Sequence, residues 1–380
     1  MTLRPVFIDH TSERGGAELA LFRLLSADVE WNPTLICPPA EGSDAYAGLP
    51  PNVSVERRGP SQRARASNGS SITANVRLTW TLLRAFASVL SSRAARRADV
   101  LIANTSRASV YVAVAGTLLR RPVVVHIRDF VDAEAIGGLA TKLLRRLVLP
   151  RASGLIANSA ASLATVRAYV GPKCEIEVIP SPSGITRGHE AVVHDAIRKV
   201  GLVARIDPWK GQELLLRAFS KAFPDGDVEL VFYGAAAFGT DGYLEHLRSE
   251  AAGIGLGDRV RFAGHVDDVA AAIDDLDVCV QCSTRPEPLG QNVLQYLAAG
   301  KPTIVADEGG PVEWVRDGQN GLVFHARDED SLASTLRTIA NDHGLRRRLA
   351  RAASITPGLS TDNEIAERMR SFLTRVKEAS

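Results

Sequence analysis

Residues 281–324 read QCSTRPEPLGQNVLQYLAAGKPTIVADEGGPVEWVRDGQNGLVF, and their pattern indicates the type of fold. A strand end leads into a loop that holds Glu287 between two prolines. An apolar run at helical spacing, a short β-type run and a Gly-Gly turn follow. Ligands of open α/β sheets bind outside the carboxyl ends of the strands, where loops meet helix N-termini. The pattern therefore predicts that Glu287 is an exposed acid at the mouth of a binding site.

The same alternation of strand, loop and helix continues on both sides of this stretch. Seven β-type runs precede residue 182, among them RPVFIDH at residues 4–10 and RPVVVHIRD at residues 121–129. A second series of β-type runs begins with KVGLVARID at residues 199–207. Buried β runs separated by helical patterns are typical of parallel sheets. The sequence predicts two doubly wound, Rossmann-like α/β domains that face each other across a cleft.

The domain boundary is predicted where Pro180, Pro182 and Gly184 interrupt the pattern. A first domain would then cover residues 1–182, a linker 183–196, a second domain 197–360 and a final helical segment 361–380. The sequence leaves open whether that last helix packs back on the first domain. A chain of 380 residues is long enough for two domains, each with its own core.

The protein class follows from what the sequence lacks. No charged segment followed by an apolar one opens the chain, and no apolar run approaches the ~18 residues of a membrane span. The sequence therefore predicts a cytoplasmic protein.

Cys279 and Cys282 form a C-x-x-C within DVCVQCS, a pattern typical of a buried strand, so packing is favoured over a metal or redox role.

Charge is distributed unevenly along the chain. Residues 1–185 hold 22 basic and 14 acidic residues, a net of +8, whereas residues 186–380 carry a net of −6. Such a basic first domain suits an anionic or membrane-linked acceptor and peripheral contact with the inner membrane face. A solvated basic surface is the alternative. Aromatic and basic residues are not interleaved, which argues against nucleic acid.

Residues 57–98 contain nine arginines and no acidic residue. The apolar spacing from residue 75 predicts a helix with one apolar face, formed by Val76, Trp80, Leu83, Phe86, Ala87 and Leu90. Two interpretations stay open: a helix that rests on an anionic bilayer, or a partly buried domain helix with a basic rim. We favour the second.

In the first domain, two features lie where a ligand would bind. Gly15 and Gly16 open a helical pattern, and such a loop lets backbone N–H groups approach a phosphate or sugar oxygen. His126 ends a strand, where it is placed to donate a hydrogen bond to a sugar or phosphate, and Asp129 is a candidate for orienting an acceptor hydroxyl. Ordinary loop and capping roles remain the alternatives for each.

In the second domain, Arg205 and Lys210 follow a strand and precede a glycine that opens a helix. Two cations beside a helix N-terminus make a site for a diphosphate and would stabilise it as a leaving group. A pair of ordinary surface cations is the alternative.

Taken together, these motifs resemble family 4 retaining glycosyltransferases of GT-B fold, and the resemblance covers nearly the whole chain. The motifs that carry it are Gly15-Gly16-Ala17-Glu18, His126, Arg205 with Lys210-Gly211, Glu287-Pro288-Leu289-Gly290, Gly309-Gly310 with Glu313, and Asn320-Gly321.

The resemblance implies a nucleotide-sugar donor, UDP- or GDP-linked, held by the second domain in the cleft. Arg205 and Lys210 would bind its diphosphate, and Glu287 would accept hydrogen bonds from the donor sugar. Backbone N–H groups near Leu289, Gly290 and Gln291 would complete the donor contacts. Gly16, beside Gly15, would approach the phosphate from the first domain, and His126 would lie near the transferred sugar.

Two positions depart from the family pattern. The family has a second glutamate eight positions after the first, contacting the ribose, where this chain has Gln295. Glutamine accepts from one hydroxyl but adds an NH2 that needs an acceptor, which implies either weaker donor binding or a different choice of donor. If position 295 meets the ribose, Gln295→Glu is expected to tighten donor binding. The segment SPSG at residues 181–184 lacks the Asn-Gly commonly found there, and no site residue is assigned to it.

The mechanism implied is retaining transfer of a hexose to a hydroxyl of a glycan, a lipid-linked molecule or a small molecule. Glu287, His126, Arg205 and Lys210 would be the catalytic residues, and the departing phosphate would take the acceptor proton. Neither a metal, a protein nucleophile nor a further cofactor is required. Two alternatives remain: a sugar-nucleotide epimerase on a similar scaffold, and a noncatalytic subunit that binds sugar nucleotides.

Overall fold

The computed structural model describes residues 2–61, 72–186, 192–236 and 240–380, with side chains omitted for 72–77 and 241. The chain forms two compact units. The first contains Met1–Pro182 together with Asp362–Ser380, and the second contains Ser183–Thr361. The stretch predicted as a linker, 183–196, falls within the second unit, and its residues 187–191 lie outside the described residues.

The first unit is built on a seven-stranded, all-parallel sheet with strand order β3-β2-β1-β4-β5-β6-β7. Its strands are β1 (Pro5–Ile8), β2 (Thr34–Cys37), β3 (Ser54–Arg57), β4 (Val100–Ala103), β5 (Val123–Ile127), β6 (Gly154–Ala157) and β7 (Glu175–Val178). The strand order reverses between β1 and β4, which is the position where doubly wound sheets bind ligands.

Helices cover both faces of this sheet. They are α1 (Gly16–Ser26), α2 (Ile72–Ser91), α3 (Arg93–Arg97), α4 (Ser106–Leu119), α5 (Gly138–Leu143), a π-helical turn (Leu144–Val148), 3-10 turns (Leu149–Arg151, Arg167–Tyr169) and α6 (Ala160–Ala164). Along β5, Val123, Val125 and Ile127 face the core shared with α4, and Val124 faces the core on the other side. Burial on both faces explains the continuous apolar runs.

The second unit repeats this design with a six-stranded parallel sheet in the order β10-β9-β8-β11-β12-β13. Its strands are β8 (Lys199–Val203), β9 (Glu229–Tyr233), β10 (Val260–Gly264), β11 (Val278–Gln281), β12 (Thr303–Ala306) and β13 (Leu322–Phe324). The order reverses between β8 and β11. Both units are therefore Rossmann-like, as the sequence predicts.

The helices of the second unit also lie on both faces of its sheet. They are α7 (Gln212–Ala222), α8 (Asp241–Gly253), α9 (Val269–Asp274), α10 (Gln291–Ala298), α11 (Pro311–Trp314), α12 (Glu329–Asn341) and α13 (His343–Ser354), with 3-10 turns at Pro208–Lys210 and Gly257–Arg259. The last helix of the chain, α14 (Asp362–Glu378), belongs to the first unit. Among the described residues, every helix is too short or too polar to cross a bilayer.

The buried face of α2 differs from the predicted one. Trp80 and Leu83 are 62% and 52% exposed, whereas Ala85 and Val89 are buried. The side chain of Val76 lies outside the described residues. The prediction was wrong for Trp80 and Leu83, because the side of α2 that faces the core shared with α4 carries Ala85 and Val89, with Phe86 and Leu90 packed beside them.

Candidate functional site

In the second unit, the predicted donor residues gather at the point where the strand order reverses. Arg205 lies just beyond the end of β8, and the loop after β11 carries Ser283 and Glu287. Both loops leave the carboxyl ends of neighbouring strands, so their side chains meet at one edge of the sheet.

Glu287 and Lys210 form the central contact of this edge. Lys210 Nζ lies 2.5 Å from Glu287 Oε1, and Ser283 Oγ donates to the same oxygen at 2.7 Å. Glu287 Oε2 has no hydrogen-bond partner among the described residues, so it is the oxygen left for a ligand. Lys210 Nζ also lies 3.7 Å from the centre of the Trp209 ring.

The prediction that Glu287 is exposed was wrong, because the residue is only 6% exposed. A carboxylate at this depth needs compensation, and Lys210 and Ser283 supply it. From the sequence, both charged residues were predicted to belong to one site, with Lys210 binding the diphosphate and Glu287 the donor sugar. The structure shows that they pair with each other.

Gly211 allows Lys210 to reach this position. Its backbone is left-handed, with φ of +78°, and a Cβ at this position would overlap the carbonyl oxygen of Cys282. Only glycine tolerates both conditions without strain. The loop that carries Lys210 therefore lies directly against the end of β11.

The Gly-Gly turn holds the other side of the Glu287 loop. Gly309 has φ of +75° and would overlap the Glu287 carbonyl if it carried a side chain. Gly310 N donates to Glu287 O at 2.8 Å. These contacts explain why the two motifs occur together in the sequence: one loop is packed on the backbone of the other.

The remaining predicted donor residues surround the amino end of α10. Gly290 caps this helix in a left-handed conformation with φ of +77°, and Gln291 is its first residue. Leu289 is buried in an apolar cluster, which leaves its backbone as the part available to a ligand. The positive end of the α10 dipole thus lies beside Glu287 and favours an anion.

Arg205 and Gln295 occupy the two flanks. Arg205 Nη2 lies 3.4 Å from Asp207 Oδ2, and its backbone carbonyl accepts a hydrogen bond from Gln212 Nε2 at 2.9 Å. Gln295, one turn into α10, donates from Nε2 to the carbonyl of Ser183 at 2.7 Å. The acceptor that its NH2 group needs is therefore a backbone oxygen of its own unit.

The first unit builds a second polar cluster at its own reversal point, which sequence reasoning missed. Asp9 follows β1 and is 2% exposed. Its Oδ2 accepts from Tyr46 Oη and Asn104 Nδ2, both at 2.6 Å. Its Oδ1 lies 3.0 Å from His10 Nδ1, which is also 2.9 Å from Thr105 Oγ1. With Nδ1 engaged, Nε2 is the His10 nitrogen left for a ligand.

Arg128 extends this cluster towards the end of the first unit. Its Nη2 donates to Asn104 Oδ1 at 2.9 Å and its Nη1 to Ser181 Oγ at 2.7 Å. Asp9 and Asn104 each directly follow an apolar β run, and this position is the signal that could have revealed the cluster. The sequence predictions rested on glycine loops and on the strand-end histidine instead.

The carboxyl groups of Asp9 and Glu18 both lie in this region, but their pKa values shift in opposite directions. Burial raises the pKa of Asp9, but His10, Tyr46 and Asn104 outweigh that effect, so the pKa is lowered and Asp9 is ionised. Burial, and next the charge of Asp9, raise the pKa of Glu18 to about 8. Glu18 therefore carries a proton at neutral pH.

The structure places the other first-unit candidates as follows. Gly15 precedes α1 and leaves room for the Glu18 carboxyl, and Gly16 is the first residue of that helix.

His126 is 2% exposed within β5, and its Nε2 has no hydrogen-bond partner among the described residues. Burial, with a smaller contribution from the charge of Arg128, lowers the pKa of His126 well below its ordinary value, so the ring is neutral. Asp129 is exposed in the following loop.

The C-x-x-C cysteines lie apart from ligand chemistry. Cys279 and Cys282 are fully buried in and just after β11. Burial raises the pKa of Cys279 to about 12 and that of Cys282 further still, so both remain thiols. The packing role favoured from sequence agrees with this burial.

Comparison with known proteins gives a consistent family assignment. The family model described as Glycosyl transferase 4-like domain matches residues 19–182, and that of Glycosyl transferases group 1 matches residues 194–355.

Among curated relatives, lipopolysaccharide core biosynthesis glycosyltransferase LpsE of Rhizobium meliloti is 38% identical over 28% of this chain and 31% of its own length. Phosphatidyl-myo-inositol mannosyltransferase of Mycobacterium leprae is 32% identical over 39% of this chain and 38% of its own length. These matches thus span 31% and 38% of the two relatives, about a third of each.

Solved structures match the whole chain. HepE of Anabaena, solved with UDP-glucose, has a TM-score of 0.75 and 25% identity, and covers 97% of this chain and 100% of its own. Sucrose-phosphate synthase of Thermosynechococcus elongatus has a TM-score of 0.80 at 19% identity, with 100% of each chain covered. These matches assign residues 194–355 to the glycosyl transferases group 1 family and residues 19–182 to the glycosyl transferase 4-like domain, in a chain of GT-B fold.

Proposed function

We propose that the protein is a retaining glycosyltransferase that transfers a hexose from a nucleoside diphosphate sugar to a hydroxyl acceptor. The observation that carries the proposal is the contact between Glu287 and Lys210 at the amino end of α10. It combines a cation, a helix N-terminus and a carboxylate oxygen that has no partner among the described residues. The cation and the helix N-terminus suit a diphosphate, and the carboxylate oxygen suits the hydroxyls of a sugar.

Each group has a role in the proposed reaction. Glu287 Oε2 accepts hydrogen bonds from hydroxyls of the donor sugar. Arg205, Lys210 and the backbone from Leu289 to Gln291 bind the diphosphate and stabilise the negative charge that develops as it leaves. Because Glu287 is already bonded to Lys210 and Ser283, it is poorly suited to act as a nucleophile. Attack from the same face, with the leaving phosphate taking the acceptor proton, fits this arrangement.

We place the acceptor hydroxyl on the first unit. His10 Nε2 is the nitrogen available to accept its hydrogen bond, because Asp9 and Thr105 engage Nδ1. Asp129 is exposed in a loop that also follows a strand, and remains a second candidate for this contact. His126, whose Nε2 has no hydrogen-bond partner among the described residues, keeps its proposed place near the transferred sugar.

A UDP-linked donor is favoured over a GDP-linked one. HepE, which is similar along nearly the whole chain, was solved with UDP-glucose. The direct test is to incubate the protein with UDP-glucose, UDP-galactose and GDP-mannose, with and without octyl glucoside as acceptor. We expect acceptor-dependent release of UDP and an α-linked product by NMR. The Glu287→Gln protein is the control for contaminating activity.

Other outcomes would favour the alternatives. Epimerised donor without nucleotide release would support the epimerase. Tight UDP binding without turnover, across a wide panel of acceptors, would support the noncatalytic subunit. A β-linked product would exclude retention and would turn attention to Asp9 and His10 as a proton-accepting pair.

We further propose that α2 rests on an anionic membrane surface. Leu78, Trp80 and Leu83 are 42%, 62% and 52% exposed, and Arg84 beside them is exposed as well. Since residues 57–98 carry no acid, this surface combines apolar side chains with positive charge.

Co-sedimentation with vesicles tests this surface. The protein is expected to bind vesicles that contain phosphatidylglycerol but not pure phosphatidylcholine. Trp80→Gln with Leu83→Gln should abolish binding. Ile355→Gln, which removes an exposed apolar residue of the second unit, should not. Equal binding by both variants would refute the assignment.

A further inference from the structure

Gln295 joins the start of the second unit to the helix that carries the donor site. The second unit begins at Ser183, which is fully buried. Gln295 Nε2 donates to the Ser183 carbonyl at 2.7 Å. Two residues further on, Ile185 packs with Leu289, Val293 and Leu294 in one apolar cluster. A hydrogen bond and an apolar contact thus fix this segment to α10.

The chemistry of this hydrogen bond requires a donor at position 295. A glutamine amide donates two hydrogen bonds, whereas an ionised glutamate only accepts. Glutamate at this position would place a carboxylate against the carbonyl oxygen of Ser183 and leave that buried oxygen without this partner. Losing a hydrogen bond in a partly buried place costs stability, and repulsion adds to the cost.

The position of Gln295 on α10 connects this contact to the proposed donor site. Gln291 and Gln295 are four residues apart on one helix and therefore lie on the same side, one turn from each other. Gln291 begins the helix next to the loop of Glu287. The residue that fixes Ser183 is thus a neighbour of the groups assigned to the donor.

The preceding segment is held in a similar way by the first unit. Ser181 accepts a hydrogen bond at its Oγ from Arg128, two residues before Ser183. The stretch at which the chain passes from one unit to the next is therefore fixed by a side chain of each unit, on either side of Pro182.

From these contacts we propose that Gln295 is a positioning residue. Its amide anchors the beginning of the second unit to α10 and so sets the geometry of the donor loop, and glutamate cannot replace it. This inference rests on the proposed function for its effect on the donor. It reverses the expectation, drawn from sequence, that Gln295→Glu would tighten donor binding.

Hydrogen exchange combined with calorimetry tests the proposal. In Gln295→Glu and Gln295→Ala, the peptide covering residues 183–186 should exchange faster than in the wild type, and the strands of the second unit should be unchanged. UDP should bind Gln295→Glu about two- to tenfold more weakly. Gln319→Glu makes the same charge change at an exposed position of the same unit and serves as the control.

The outcomes separate the two proposals. Unchanged exchange of residues 183–186 in both Gln295 variants, or tighter UDP binding by Gln295→Glu, would overturn the anchoring role. If the wild-type protein does not bind UDP, the proposed donor is wrong. The exchange measurement still decides whether Gln295 fixes Ser183, because it needs no ligand.

Discussion

At the scale of single residues, the carboxyl groups of this protein differ in what surrounds them. Glu287 is buried against a cation and one hydroxyl, so it keeps a fixed geometry with one oxygen available. Glu18 is buried beside another carboxylate, which favours its protonated form. The two residues look alike in the sequence, because each is a glutamate close to a glycine: Glu18 follows Gly16, and Glu287 precedes Gly290. Only their neighbours in space distinguish them.

Glu287→Gln tests the role of the charge without a large change of shape. The variant loses the charge-assisted hydrogen bonds to the donor and leaves Lys210 without its carboxylate partner. Turnover of the donor should fall about ten- to a hundredfold. Steady-state release of nucleotide measures this effect. Glu308→Gln, which removes an ion pair with Arg327 near the same loop, should retain close to full turnover.

Glu18→Gln should change how stability depends on pH. In the wild type the unfolded chain releases this proton near pH 4.5, whereas the folded protein holds it to about pH 8. The free energy of unfolding of the wild type therefore decreases through this group as pH rises from about 4.5 to 8. The groups that act on Glu18 are Asp9, Arg128 and Asp129.

Thermal unfolding between pH 4 and 9 checks this expectation. The melting temperature of Glu18→Gln, relative to wild type, should rise across that range and level off above pH 8. Glu30→Gln, an exposed position in the same unit, should give a flat difference. A flat difference for Glu18→Gln too would mean that Glu18 is ionised in the folded protein.

At the scale of elements, glycines determine how closely the loops approach one another. Gly211 lies against the carbonyl of Cys282, and Gly309 lies against that of Glu287. Side chains at these positions would separate the loops that bring Lys210 to Glu287. The glycines are therefore part of the donor site although they need not contact the donor.

Gly211→Ala and Gly318→Ala separate backbone strain from steric overlap. Both positions have a positive φ, +78° and +68°, but nothing lies within 4 Å of a Cβ at Gly318. Gly318→Ala should cost about 1 kcal/mol of unfolding free energy. Gly211→Ala should cost clearly more and should also weaken UDP binding, because Lys210 is displaced. Chemical denaturation and calorimetry measure the two effects, and equal costs would contradict the overlap.

Helix α2 shows where helical periodicity fails as a guide. Trp80 and Leu83 were placed on the apolar face but are exposed, whereas Phe86 and Leu90 of the same predicted face pack against the core beside Ala85 and Val89. Periodicity identifies an apolar side but not which neighbour covers it. An apolar side chain of this helix can face solvent, a membrane or the core. The packing of α2 against α4 determines which side chains are buried.

At the scale of the whole molecule, the chain returns to its first unit after completing the second. The buried residues of α14 join the core formed by α1 and the sheet, and α14 lies so close to β6 that a Cβ at Gly154 would be 2.8 Å from Val376. Arg368 and Arg375 both pair with Glu177 at the edge of that sheet. The first unit is therefore incomplete without the end of the chain.

Phe372→Ala should destabilise the first unit by about 3–5 kcal/mol, because the Phe372 ring is fully buried where α14 packs on the sheet. Unfolding followed by hydrogen exchange should show loss of protection in β1, β4 and β5 and little change in the second unit. Ser371→Ala, an exposed neighbour, is the control. Equal loss of protection in both units would show that they unfold together.

Local order along the chain is enough to predict the type of fold and most of the second-unit site. Apolar β runs alternate with helical patterns, and in a parallel sheet this alternation is sufficient to place loop residues at the carboxyl edge. The amino-acid sequence alone therefore assigns Arg205, Lys210 and Glu287 to one edge, because each of them lies in a loop that follows the end of a strand.

What those residues contact depends on the tertiary structure. Most of these contacts join residues that are distant in sequence: Lys210 with Glu287, Gln295 with Ser183, and Asp9 with Asn104. The contact of Asp9 with His10 is the exception, since the two are adjacent. Such contacts depend on strand order and on loop conformations that glycines permit. Periodicity and spacing describe one element at a time, whereas hydrogen bonds and charge compensation depend on which elements are neighbours in space.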